Sequence, residues 1–143
     1  MAKNLPFEKC TATSKNKIVV AEERSKQLRI INPYKKPISK IQIDGCLITD
    51  DSLKCDYVFE IDIPVSNAIY LELKGTDIPH AVKQLKSTLQ LFKEKHKELK
   101  KDCIVVCYSV PRTTLIIQKY KLELKRSFNA NLQIRENVFS VTI

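Results

Sequence analysis

At 143 residues the chain has room for one domain with a substantial hydrophobic core and not for two ordinary ones. Apolar residues make up 43% and charged residues 29%, which excludes a disordered chain, and only two glycines are present, which excludes G-x-G-x-x-G and phosphate-loop nucleotide sites. Lys and Arg number 25 against 16 Asp and Glu, a net charge of +9 that excludes an acidic, self-solvating protein and points to a polyanionic partner.

Residues 1–16 are polar and mixed and read as a loosely held terminus. Between Lys17 and Asn32 two readings stay open. Ile18-Val19-Val20 and Leu28-Arg29-Ile30-Ile31 suit short strands, whereas the stretch from Glu22 to Leu28 also suits a helix. Pro33 and Pro37 interrupt any regular element there. Ile41 to Ile48 is strand-like, and Thr49-Asp50-Asp51-Ser52 is a turn. Lys54 to Ile61 forms a second strand, Pro64 to Asn67 a turn, and Ala68 to Lys74 a third strand closed by Gly75. A helix follows, with Thr76 and Asp77 as cap candidates and Pro79 in its first turn. Its apolar or semi-apolar positions recur at 78, 82, 85, 89, 92, 96 and 99, in steps of three and four. Cys103 to Tyr108 is a nearly unbroken apolar run of strand length, the pattern of a strand covered on both faces. A second helix is expected over Thr113 to Arg126, then short strands near 131–135 and 138–142. The order predicts an α/β fold with a mixed central sheet flanked by helices in a single domain, 1–143.

The five cysteines form no C-x-x-C pair, and most lie in apolar runs, where a free thiol behaves as a small hydrophobe. Neither they nor His80 and His96 stand in a zinc-ligand spacing. Without a leader pattern or an apolar run of about 18 residues, the expectation is a soluble protein of a reducing cytoplasm, with no membrane partner. The positive charge is uneven. Twelve basic and four acidic residues lie between Lys83 and Arg126, which favours nucleic acid over a merely solvated lysine-rich surface.

Three E-L-K tripeptides invite comparison: Glu72-Leu73-Lys74, Glu98-Leu99-Lys100 and Glu123-Leu124-Lys125. The second and third fall in expected helices, where residues two apart diverge by about 200° around the axis. The first falls on a strand, where Glu72 and Lys74 share one face and Leu71 and Leu73 take the other. Asp56, on the preceding strand, supplies a second hard oxygen. Two carboxylates are what Mg²⁺ usually takes from a protein, leaving positions for water and phosphate oxygens. Lys74 is placed to orient the attacking water and offset charge on the phosphate. Glu60 shares the strand parity of Asp56 and is a reserve ligand. Asp44, on a neighbouring strand, and His80 are further candidates, although Gly45 suggests that Asp44 sits in a turn. The bland reading is a solvated strand face carrying ordinary charges.

Asp56, fifteen intervening residues, and then Glu72-Leu73-Lys74-Gly75 resembles the signature of the PD-(D/E)xK nuclease superfamily, to which restriction endonucleases and Holliday-junction resolvases belong. The similarity covers roughly residues 40–110, with Cys55 where the motif's proline would stand. It implies a restriction-endonuclease-like sandwich, and a Mg²⁺-dependent nuclease in which Mn²⁺ can substitute. Asp56 and Glu72 are then the metal ligands, and Lys74 is catalytic. DNA is the expected partner ahead of RNA, and a homodimer is a further implication. By the same resemblance Gln84, on the following helix, joins the catalytic set, and Glu22 or Glu23 matches a glutamate that many members carry on an earlier helix. The competing class is a catalytically silent protein of this fold that binds nucleic acid or regulates a nuclease.

Overall fold

A computed structural model describes residues 5–73, 77–110 and 115–143. Lys74, Gly75, Thr76 and the expected helix start at Thr113 lie outside the described residues.

The described residues begin with a short helix α1 (Phe7–Cys10) and strand β1 (Thr11–Ser14), so within the expected loose terminus residues 7–14 form regular structure, and residues 1–4 lie outside the described residues. Residues 18–31 resolve the open choice in favour of strands, as a hairpin of β2 (Ile18–Glu23) and β3 (Lys26–Ile31). Next come β4 (Ile38–Gln42), β5 (Tyr57–Ile61) and β6 (Asn67–Leu73). Helix α2 (Ile78–Leu91) leads to β7 (Lys100–Cys107), and helix α3 (Leu115–Phe128) to β8 (Ala130–Glu136) and β9 (Val138–Thr142).

The expected strand over 41–48 is shifted towards the N-terminus. It starts immediately after Pro37, which tolerates the first position of a strand, and ends before a turn in which Gly45 takes φ +83°. Asp44 therefore sits exposed in that turn rather than on a strand, 4.0 Å from the Lys54 ammonium. The α-helix of α2 also stops earlier than its apolar period. Residues 92–98 continue as turns, which keep Phe92 and His96 buried on the same side. Glu98-Leu99-Lys100 consequently runs from turn into strand and is not helical, unlike Glu123-Leu124-Lys125 in α3.

Six strands form a mixed sheet in the order β1-β4-β5-β6-β7-β8, antiparallel as far as β6 and parallel from β6 to β8. A second sheet, β2-β3-β9, covers one of its faces. The alternation of side chains sorts them between two cores. Ala68, Tyr70, Cys103 and Val105 pack under α2 and α3 with Val82, Leu85, Leu89 and Leu124. Ile69, Leu71, Leu73, Ile104 and Val106 face the second sheet and meet Leu28 and Ile30. Both faces of β6 and β7 are thus covered, as the unbroken apolar run at 103–108 requires. The chain is an α/β protein with a mixed sheet.

The cysteine expectation needs one correction. Cys10 and Cys46 form a disulfide, while Cys55, Cys103 and Cys107 are free and buried. Disulfides persist in oxidising surroundings, so this bond weighs against the expected reducing compartment. Among the described residues no helix is long and apolar enough to cross a membrane.

Candidate functional site

The β5–β6 register pairs Tyr57 with Leu71 and Val58 with Tyr70, so its continuation sets Asp56 opposite Glu72. The ladder is offset at this point. Asp56 donates its backbone N–H to Leu71 O at 3.0 Å, so both Asp56 and Tyr57 address Leu71, the two-against-one relation of a β-bulge. A bulge redirects a side chain, and here the Asp56 Oδ2 accepts the Leu73 N–H at 2.7 Å. The Asp56 carbonyl meanwhile accepts the Ile43 N–H at 2.9 Å, which fixes the residue from the β4 side as well.

Glu72 occupies the helix-facing side of β6, opposite to Leu71 and Leu73, as the strand parity predicts. It does not emerge into solvent, however. Its exposure is 0%, against 8% for Asp56, because the helix layer covers that face. Both carboxylates lie where β6 ends and the chain turns toward α2, the end of a parallel strand pair where α/β folds tend to carry sites. Asp77 caps α2 by accepting the His80 N–H at 3.1 Å, and Pro79 occupies the first turn. The His80 side chain is exposed at this helix start.

Two residues of α2 clamp the approach to Asp56. Gln84, 8% exposed, donates Nε2 to the Lys54 carbonyl at 3.1 Å. Thr88 lies one turn on, and its Oγ1 accepts the Cys55 N–H at 2.9 Å. Its hydroxyl in turn donates to Gln84 O at 3.2 Å. Among the described residues, Gln84 Oε1 is buried with no hydrogen-bond partner, a hard oxygen beside the chain that leads to Asp56. Burial pushes the Cys55 thiol well above its usual range. The bond to Thr88 opposes this, while the neighbouring Glu72 and Asp56 carboxylates push it further. Cys55 thus stays a neutral thiol between two acids, not a nucleophile. Thr88 and Cys55 were not singled out from the sequence, although Thr88 follows Gln84 by the four residues that put both on one helix face.

Other candidates lie elsewhere. Glu60 cannot serve as a reserve ligand, because His96 Nε2 holds its Oε2 at 2.6 Å and Lys95 holds it at 3.1 Å. His96, 1% exposed, is bound on its other nitrogen by the Tyr70 hydroxyl at 2.5 Å. Glu22 and Glu23 lie exposed on strand β2, not on a helix, which removes them from the glutamate role. Among the described residues no group of three His, Cys, Asp or Glu side chains could hold a metal ion.

No protein-family model matches the chain, and neither a curated protein nor a solved structure matches it significantly.

Proposed function

We propose that the chain is a metal-dependent nuclease of the restriction-endonuclease-like type, acting on DNA ahead of RNA. The observation that carries the reading is the approach of Asp56, on a bulge at the start of β5, to the end of β6 that carries Glu72. The residues present fit a hard divalent cation such as Mg²⁺ or Mn²⁺: two carboxylates, with the buried amide oxygen of Gln84 close by. A bound ion of this kind supplies Lewis acidity at the phosphate and a more acidic coordinated water. Asp56 and Glu72 would hold it, and Gln84 would position the strand entry that carries Asp56. Lys74 completes the motif on sequence grounds, orienting the water and offsetting phosphate charge.

One observation favours a second reading, a catalytically silent nucleic-acid-binding or nuclease-regulating protein. Glu72 is fully buried, so a substrate phosphate has no open route to it.

Cleavage of single-stranded, duplex and branched DNA with Mg²⁺ or Mn²⁺ separates the two. The nuclease reading expects EDTA to abolish cleavage. Glu72→Gln, Asp56→Asn and Lys74→Ala should each lower it by about 10²-fold or more, the scale of losing one charge-stabilising group. A thermal melt gives a second readout. Excess Mg²⁺ should stabilise the wild type by about 2–3 kcal/mol at a hundredfold over its dissociation constant, and stabilise Glu72→Gln far less. A wild type that cleaves no substrate and melts identically with and without Mg²⁺ gives the silent reading.

A further inference from the structure

Lys86 is ion-paired with Glu123, Lys95 with Glu60 and Lys54 with Asp44. Four other cations converge on one space. A cleft of about 240 Å³ lies between the end of α2 and the end of α3, and Lys93, Lys97, Lys101 and Arg126 line it. No acidic residue lines it, and among the described residues none of the four cations forms an ion pair.

The floor of the cleft is built rather than incidental. Lys101 is only 6% exposed, and its ammonium is fixed by donating to the carbonyls of His96 at 3.0 Å and Leu99 at 2.8 Å. Two of its three N–H donors are thereby used to anchor the turns after α2. Burial draws the Lys101 ammonium below its ordinary value, opposed by Cys103 and Glu98. Four cations around so small a space repel one another, and an anion in the cleft relieves that cost. Apolar wall comes from Leu89 and from the half-buried ring of Phe128, against which a flat base can stack.

We propose that this cleft binds the sugar-phosphate backbone of a single nucleic-acid strand, as an anchoring site separate from the Asp56–Glu72 pair. The inference rests on the nucleic-acid partner of the proposed function and deepens it. Lys101 shares strand parity with Cys103 and so lies on the helix-facing side of the sheet, as Glu72 does. The β6–β7 register pairs Lys101 with Ala68 and Val105 with Glu72. The two sites are therefore four residues apart along the strands, about 13 Å at the usual rise. At roughly 3.4 Å per nucleotide, that is about four steps of a helically stacked strand.

The test is binding of a fluorescent single-stranded oligonucleotide by anisotropy, in EDTA, as a function of salt. Lys97→Gln with Arg126→Gln should weaken binding on the order of tenfold and reduce the log–log salt slope by about 1.4, the share of two phosphate contacts on a single strand. Lys15→Gln with Lys17→Gln, at exposed positions between β1 and β2 that do not line the cleft, should change neither by a comparable amount. Circular dichroism and melting confirm that each variant is folded. Equal losses in both double variants, an unchanged slope in the cleft variant, or no binding by the wild type overturns the proposal. Inorganic polyphosphate that competes as well as the oligonucleotide at equal charge overturns the assignment to nucleic acid. The catalytic reading fails separately. If the wild type cleaves nothing yet the cleft variant loses binding, only that reading falls; if Glu72→Gln abolishes cleavage and the cleft variant binds normally, only this proposal falls.

Discussion

Glu60 is the residue whose chemistry is most fully determined by its neighbours. Burial by itself raises its pKa, but the hydrogen bond from His96 and the charge and hydrogen bond of Lys95 outweigh that effect, and the carboxyl is held below its ordinary value. A carboxyl with a lower pKa in the folded chain adds stability above its unfolded value and loses that contribution as pH falls through the folded one. Chemical unfolding at pH 6, and then stepwise below about 4.5, should show the wild type more stable than Glu60→Gln at the higher pH. The difference should shrink as acid is added, and a difference constant down to pH 3 would contradict the assignment. Glu60 also shows where strand parity misleads. Two residues on one face of a strand need not share a site. Glu60 lies opposite Ala68, four residues along β6 from Glu72, and His96 reaches it first. The sequence places His96 on the apolar stripe after Ile78, but nothing local says that a polar ring there will find an acid on β5.

At the scale of elements, α2 does more than cover the sheet. Gln84 and Thr88 replace the neighbouring strand that residues 54 and 55 lack at this point, by satisfying the Lys54 carbonyl and the Cys55 N–H. Thr88→Val is nearly isosteric and removes the hydroxyl, which accepts from the Cys55 N–H and donates to Gln84 O. It should cost about 1–3 kcal/mol in urea unfolding, because the buried Cys55 N–H is left unpaired. An unchanged midpoint would mean that the strand entry does not depend on the helix. Helix α2 and strands β5 to β8 were legible because their apolar periods are strong and their breaks are marked: Pro64 in the β5–β6 turn, and Asp77 with Pro79 at the helix start. The β2–β3 hairpin was not decided. Its two-residue turn places Arg24 at φ +56°, a conformation normally signalled by Asn or Gly, and the sequence there offers neither. The pairing of β5 with β6 could be read from strand order, whereas the bulge that redirects Asp56 comes from hydrogen bonds across β6 that leave no mark in residue types.

For the molecule as a whole, the Cys10–Cys46 bond joins the N-terminal segment to the turn that follows β4. That segment is short: α1 has four residues, and β1 has four on an edge of the larger sheet. Such a segment would ordinarily fray, and the polar residues 1–16 gave no reason to expect otherwise. Pairing with β4 and the cross-link explain why it does not. The two cysteines stand 36 positions apart, and closing a loop of that length removes unfolded-chain entropy worth about 3–4 kcal/mol. Dithiothreitol, or Cys10→Ser with Cys46→Ser, should therefore lower unfolding stability by about that amount. The part of the sheet from β5 to β8 should remain, since neither cysteine lies in those strands. Thiol titration in denaturant checks the premise: three reactive thiols before reduction, from Cys55, Cys103 and Cys107, and five afterwards. Five thiols without reductant would place Cys10 and Cys46 in the reduced state. Three thiols with no loss of stability on reduction would instead show that β1 is held by its pairing with β4 alone. The two measurements together separate the existence of the bond from its contribution to the fold.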